Sequence, residues 1–272
     1  MGHSKGMFQE STAEAWAARF GTPAPNGLPD LGRLLNHRSV RDFTSDPVPE
    51  AMIEGLVGAA LSAATSSHLH AYSLVSVQDP ARRREINQFC GDQRQVAHAP
   101  WFFAVCADLN RLVSQAPDPA MPDAVDTVEM YTVACVDAAL AAERMVVAAE
   151  RLGLGTCYIG ALRNHPHEVR RILNLPDHVF GVFGLCIGWP SEENFPRIKP
   201  RLNPDQIWFQ EQYPVQLDVQ EFDARMTEEY ARDGRDEGVP WSARMARRAS
   251  LRGLSGREKL QEFLQSVGLN RR

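Results

Sequence analysis

Cysteine is scarce in this chain, five residues in 272, odd in number and never in a Cys-x-x-Cys spacing. Neither a disulfide framework nor a thiolate zinc site has its usual signature, so Cys90, Cys106, Cys135, Cys157 and Cys186 read as small buried apolar side chains. Long hydrophobic runs are also missing. The stretch 179–189 is nearly uncharged but far too short to span a bilayer, and residues 1–10 lack the apolar centre of a secretory signal. A reducing cytoplasm and no membrane are the expectation. Uniform positive charge is absent as well: the net charge is −5, although residues 225–272 carry 11 Lys and Arg against 7 Asp and Glu. An acidic body with a basic tail argues against a nucleic-acid binder and suits a phosphorylated small molecule. With 44% hydrophobic and 23% charged residues over this length, the chain can bury a sizeable core.

Ser11, with Glu14 three residues on and Gly21 behind, predicts a short capped helix, followed by a proline-rich stretch to Pro29. Residues 1–30 therefore read as an appended arm. Helices are expected over 50–64 after Pro47-Val48-Pro49, over 80–90, 93–100 and 166–173, and strands over 72–77, 101–107 and 179–187. Residues 110–122 read as a surface excursion. Residues 125–152 form the longest helical pattern, closed by Gly153. Its charges, Asp126, Glu129, Asp137, Glu143, Arg144, Glu150 and Arg151, fall within roughly 140° of arc, yet Val133, Val136 and Val147 lie inside that arc. A helix so apolar all round needs cover beyond one sheet, which points to a second subunit.

Three stretches carry chemistry. His37-Arg38-Ser39-Val40-Arg41 places two guanidiniums, a hydroxyl and an imidazole within five residues, an anion site in outline, with Arg38 and Arg41 on one side if the turn is helical. A solvated basic turn is the alternative. Thr65-Ser66-Ser67-His68-Leu69-His70 replaces the apolar pattern with hydroxyls and imidazoles, and Lys199-Pro200-Arg201 is a second basic turn. Gly153-Leu154-Gly155 has the spacing of a dinucleotide loop but follows a helix instead of a strand, so that reading is rejected; close backbone approach to a flat ligand remains.

Taken in order, His37-Arg38-Ser39-Val40-Arg41-Asp42-Phe43, Thr65-Ser66-Ser67, Gly91-Asp92-Gln93, Leu152-Gly153-Leu154-Gly155 with Tyr158-Ile159-Gly160, Val182 to Pro190, and Lys199-Pro200-Arg201-Leu202 resemble the FMN-dependent nitroreductase superfamily, in its NADPH-preferring branch of oxygen-insensitive nitroreductases and flavin reductases. The resemblance implies an α+β fold with a central mixed or antiparallel sheet flanked by helices, and an intertwined homodimer. It covers the chain from about Leu31 and implies an FMN-binding core over 31–203 and a helical extension over 204–272 with dimer contacts and an NADPH-side excursion; the arm over 1–30 has no counterpart in it. It implies that His37, Arg38, Ser39, Lys199 and Arg201 hold the FMN phosphate, that Arg41 sits by the flavin N1 and O2, that Thr65, Ser66, Ser67 and Gln93 bond its polar atoms, and that Tyr158, Ile159 and Gly160 lie against the ring. Arg232 and Arg235 are the nearest matches to arginines that bind the NADPH phosphate, and His70 could reach the open flavin face toward substrate. Ala161, His70 and Thr65 depart from the family pattern. The implied activity is ping-pong reduction of nitroaromatics, quinones or flavins with NADPH and no catalytic side chain. A flavin-destroying or dehalogenating relative and a non-enzymatic flavin module are the rival readings.

Overall fold

The computed structural model describes residues 7–235 and 238–272. Its helices are α1 (Thr12–Phe20), α2 (Glu50–Leu61), α3 (Pro80–Phe89), α4 (Arg94–His98), α5 (Asn110–Ser114), α6 (Val128–Arg151), α7 (Pro166–Leu173), α8 (Gln220–Arg232), α9 (Trp241–Arg248) and α10 (Leu260–Ser266), and its strands β1 (Tyr72–Ser76), β2 (Trp101–Asp108), β3 (Gly155–Ile159) and β4 (Val179–Gly188). Two compact units emerge. One gathers Ser39–Phe195 and Gly256–Arg272; the other gathers Pro196–Ser255 and the described residues up to Arg38. Both are discontinuous, whereas the sequence divides into arm, core and extension; part of that arm, residues 1–6, lies outside the described residues.

The first unit is built on a sheet in the order β1-β2-β4-β3, antiparallel at every pairing among the described strands. Every residue of β2 after Trp101 is buried, which is why its sequence shows no alternation: helices cover both faces. On one side α6 packs against β1, β2 and β4 with α2 behind it. Small side chains make the contact close: Ala138, Ala141, Ala142 and Ala149 pack with Met145, Val146, Phe103, Val105, Leu185 and Ile187 in one cluster. α7 packs on β4, with α3 against α7.

Capping explains several boundaries. Ser11 and Glu14 make a reciprocal box at the start of α1, and Gly21 closes it in the left-handed region at φ 70. Asp79 caps α3, and Thr127 caps α6. Four expectations need correction. Residues 39–43 are extended, not helical, with isolated bridges Ser39 to Thr156 and Phe43 to Pro190, so burial alternates: Val40 is inside and Arg41 outside. The excursion over 110–122 begins with the short helix α5. Residues 155–159 form edge strand β3, which the glycines had masked. Asp137 and Glu150 do not join the polar face of α6; both are buried, Asp137 completely.

The second unit carries α1, α8 and α9. Phe222 of α8 meets Trp241 of α9 edge-on at 5.2 Å, and Arg244 lies 4.1 Å over the Tyr230 ring. Arg225 of α8 binds the Arg19 carbonyl that ends α1 and the Asn203 side chain, tying the two chain segments of this unit together.

Candidate functional site

In the first unit the site grows from the segment beside β3. The Val40 amide donates to the Thr156 carbonyl at 2.8 Å, and the Val40 side chain fills the space where a Cβ on residue 155 would stand, only 2.7 Å away. Gly155 is thus required by close approach. This packing turns Arg41 outward. Its guanidinium bonds only the Ser39 carbonyl, at 3.3 Å, and has no carboxylate partner among the described residues. Burial pushes the Cys157 thiol upward in pKa, and the positive charge of Arg41 opposes that shift. An exposed, unneutralised cation therefore lies beside β3.

β3 ends in buried Ile159 and then Gly160. A Cβ there would stand 3.5 Å from Arg163 Nη2 and 4.0 Å from Arg257 Nη1. Two guanidiniums thus border a position that has no side chain. Arg163 donates to the Val182 carbonyl, and Arg257 Nε donates to Asn164 Oδ1 at 2.8 Å. Neither arginine was assigned a role from the sequence. Arg163 sits three residues past Gly160, and Arg257 lies in the basic tail, where nothing local distinguishes it from its neighbours. Tyr158 turns the other way: its hydroxyl donates to Glu143 at 3.0 Å, its ring meets Phe183 edge-on at 5.1 Å, and burial and then the Glu143 charge raise its pKa.

The polar loop after α2 is organised by Asp137. One carboxylate oxygen accepts from the Ser66 amide at 2.9 Å; the other accepts from the Thr65 hydroxyl and the Ala71 amide, the latter at 3.1 Å. Thr65 Oγ1 in turn accepts from the His70 amide at 2.9 Å. Thr65 is therefore turned into the fold, while the Ser66 and Ser67 hydroxyls make no hydrogen bond among the described residues. Gln93 is engaged at both ends, donating to the Cys90 carbonyl at 2.8 Å and accepting from Gln95 at 2.7 Å.

In the second unit the His37 carbonyl accepts from Arg19 at 2.6 Å. Arg38 is buried, ion-paired with Glu10, bonded to the Asn36 carbonyl at 3.1 Å, and 5.6 Å from the Phe8 ring. Lys199 is held by Glu229 at 3.1 Å and by Asp233, and Arg201 bonds only backbone carbonyls, Pro200 at 3.1 Å and Lys199 at 3.5 Å. Arg235 approaches Asp233 at 4.0 Å, and Arg232 approaches Glu228 at 3.7 Å. Lys199, Arg201 and Arg235 line one cavity of about 430 Å³ with Phe222, Tyr230 and Trp241; Arg232 does not line it.

The sequence and the fold have counterparts among known proteins. The model of the nitroreductase family matches residues 34–189, and that of the nitroreductase family C-terminal domain matches residues 199–272. The chain belongs to the nitroreductase family. Among curated nitroreductases and flavin reductases, it is 41% identical over 187 residues to an FMN reductase (NADPH) of Bacillus subtilis, covering 68% of this chain and 74% of the relative. It is 39% identical over 185 residues to an oxygen-insensitive NADPH nitroreductase of Salmonella typhimurium, covering 68% and 75%. A solved nitroreductase structure from B. subtilis superposes with a TM-score of 0.82 at 34% identity, covering 88% of this chain and 98% of that one.

Proposed function

We propose that this nitroreductase is an FMN-dependent enzyme that takes reducing equivalents from NADPH and passes them, by a ping-pong route, to nitroaromatics, quinones or flavins. The names of its relatives, FMN reductase (NADPH) and oxygen-insensitive NADPH nitroreductase, support donor, cofactor and acceptor class. The observation that carries the reading within this chain is Arg41, an exposed guanidinium with no carboxylate partner among the described residues, beside a strand that ends at Gly160, where no side chain stands and two guanidiniums border the gap. The groups of the first unit fit the flavin ring: a cation and two uncommitted hydroxyls, Ser66 and Ser67, suit its polar edge, and a glycine suits its flat face.

When bound, FMN supplies a two-electron carrier at its N5, and the side chains position and tune it. Arg41 would hold the polar ring edge and favour the negative charge that gathers there on reduction. Ser66, Ser67, Thr65 and Gln93 set the ring's polar contacts, the first two directly and the others through the loop they brace. Gly160 and the backbone of Tyr158 and Ile159 would form the surface against the ring. His37, Ser39, Lys199 and Arg201 would hold the phosphate, with the Asp233 and Glu229 carboxylates sharing Lys199 before loading, while Arg38, buried and ion-paired with Glu10, would act on it only through the turn it braces. Arg232 and Arg235 meet the NADPH phosphate, and His70 meets the acceptor. Residues 31–203 make the FMN-binding core and 204–272 the extension.

The working form is a cytoplasmic homodimer. On α6, Val128, Val136 and Leu140 are 56%, 49% and 44% exposed, and in the second unit Trp208 and Tyr213 are 70% and 75% exposed, apolar surface that a second copy covers. No helix among the described residues is long and apolar enough to cross a membrane. Steady-state NADPH oxidation by FMN-saturated protein, with a quinone and with a nitroaromatic as acceptor, tests the function. Turnover with either supports it, and NADPH oxidation that no acceptor accelerates rules it out.

A further inference from the structure

The arm at the start of the chain lies outside the family match, which begins at residue 34, yet its helix reaches into the second unit with a charged side chain. The inward stripe of α1 is Thr12, Ala15 and Arg19, three buried residues at i, i+3 and i+7. Such a stripe is ordinarily apolar; here its last position is a guanidinium only 6% exposed. A buried cation is costly unless its donors are used, so the partners of Arg19 show what it is there to hold.

Those partners are main-chain carbonyls from two segments far apart in sequence. Nε donates to the Leu35 carbonyl at 2.8 Å and Nη2 to the His37 carbonyl at 2.6 Å, while Nη1 donates to the Lys199 carbonyl at 3.3 Å. The Arg19 carbonyl in turn accepts from the Arg201 amide at 2.8 Å and from Arg225 Nη1 at 3.0 Å. Residue 19 therefore grips alternate backbone groups on each side: the carbonyls of 35 and 37, then the carbonyl of 199 and the amide of 201. The planar fork of an arginine reaches carbonyls in two directions at fixed angles, which the compact ammonium of a lysine does not. Between the gripped groups stand the side chains assigned above to the phosphate, and Lys199 and Arg201 line one cavity.

We propose that Arg19 is a positioning residue for the cofactor's phosphate: it fixes the His37 segment against residues 199–201, so that the arm completes the phosphate cradle without touching the ligand. Its burial keeps it from the phosphate itself. This role rests on the assignment of His37, Lys199 and Arg201 to the FMN phosphate. Holding two cationic segments at a set spacing before the ligand arrives removes an ordering cost from binding, which is how preorganisation raises affinity. Riboflavin, the same ring system without the phosphate, gains nothing from that spacing.

The test compares FMN and riboflavin binding by fluorescence titration of the flavin-free full chain, wild type against Arg19→Met and Arg19→Lys, with circular dichroism to check that each variant is folded. Wild type should prefer FMN, and Arg19→Met should weaken FMN about tenfold or more while leaving riboflavin within about twofold. Arg19→Lys, which keeps the charge but not the fork, should lose FMN affinity as well. Hydrogen exchange at the Arg201 amide of wild type needs no variant: by reciprocity FMN should slow it and riboflavin should not. Equal weakening of both flavins, FMN affinity kept in either folded variant, or Arg201 exchange indifferent to FMN would each overturn the positioning role and leave the flavin reading standing. A wild type that holds riboflavin as tightly as FMN would overturn the phosphate assignment, and this role with it.

Discussion

Replacing Asp137 by Asn changes one atom, and the surroundings of that atom set the cost. Asp137 is completely buried, and three donors converge on it: the Thr65 hydroxyl and the amides of Ser66 and Ala71. An asparagine oxygen can keep the Ser66 amide, and the Thr65 hydroxyl can rotate to accept from the new amide nitrogen. The Ala71 N–H cannot rotate. It would face another donor in a dry interior, which costs about 1–3 kcal/mol, and the surviving bonds would lose their charge assistance, about another 1 kcal/mol. The expected destabilisation is therefore about 2–4 kcal/mol, a large share of the roughly 5–15 kcal/mol that holds a domain. Urea unfolding of both proteins saturated with FMN gives the difference. The Asn variant should also bind FMN more weakly, because Ser66 and Ser67 depend on this anchor. A variant within about 0.5 kcal/mol of wild type would show that the Asp137 hydrogen bonds do not secure the loop.

Other outcomes follow from single residues. With Arg41 by the flavin N1 and O2, as proposed, Arg41→Gln would remove a cation whose partner is charged only in reduced FMN, so if about 1–3 kcal/mol of interaction survives screening, the two-electron potential should fall by about 20–65 mV in dye equilibration; an unchanged potential with weakened FMN binding would move Arg41 to the phosphate end. Leu140→Glu puts a charge on the exposed face of α6 and should shift sedimentation toward monomer, whereas an unaltered dimer would clear that face of any role in assembly. Gly155→Ala drives a methyl into Val40 and should cost about 1–3 kcal/mol by overpacking, read from the denaturation midpoint. Lys199, by its hydrogen bond and charge, holds the Asp233 carboxyl below its ordinary pKa. Its folded value being depressed, the stabilisation is complete above the unfolded pKa near 4 and is lost as pH falls through the folded value, so the wild-type advantage over Asp233→Asn, about 0.5–1 kcal/mol at pH 7, should shrink and then vanish as the pH is lowered through that range.

The legible parts of the fold were those set by local chemistry. Ser11, Glu14 and Gly21 carry the start and stop of α1 in their own side chains and backbone, and the unbroken apolar runs of β2 and β4 announce strands covered on both faces. Long-range packing hid the rest. Asp137 takes its turn in the charged arc of α6 when only helical angle is counted, and its burial follows from a loop some seventy residues earlier that supplies three donors. The segment after His37 reads as a turn because its residues are polar, yet it is held extended by Thr156, about 115 residues later. Gly155 resembles a loop residue until Val40 is seen to occupy its side-chain space. Of the candidate site, Arg41 and Gly160 were visible in motifs. Arg163 stands three residues from Gly160 without any motif to mark it, and Arg257 becomes a neighbour of Gly160 only when the C-terminal segment Gly256–Arg272 returns to the first unit.

Anaerobic mixing of the FMN-loaded protein with NADPH tests the central claim most directly, since it needs no knowledge of the natural acceptor. The account predicts close to one FMN per chain, bleached by one equivalent of NADPH and more slowly by NADH, with colour restored when a quinone is added. A protein that takes up no FMN, or one whose bound flavin keeps its colour in excess NADPH, would contradict it.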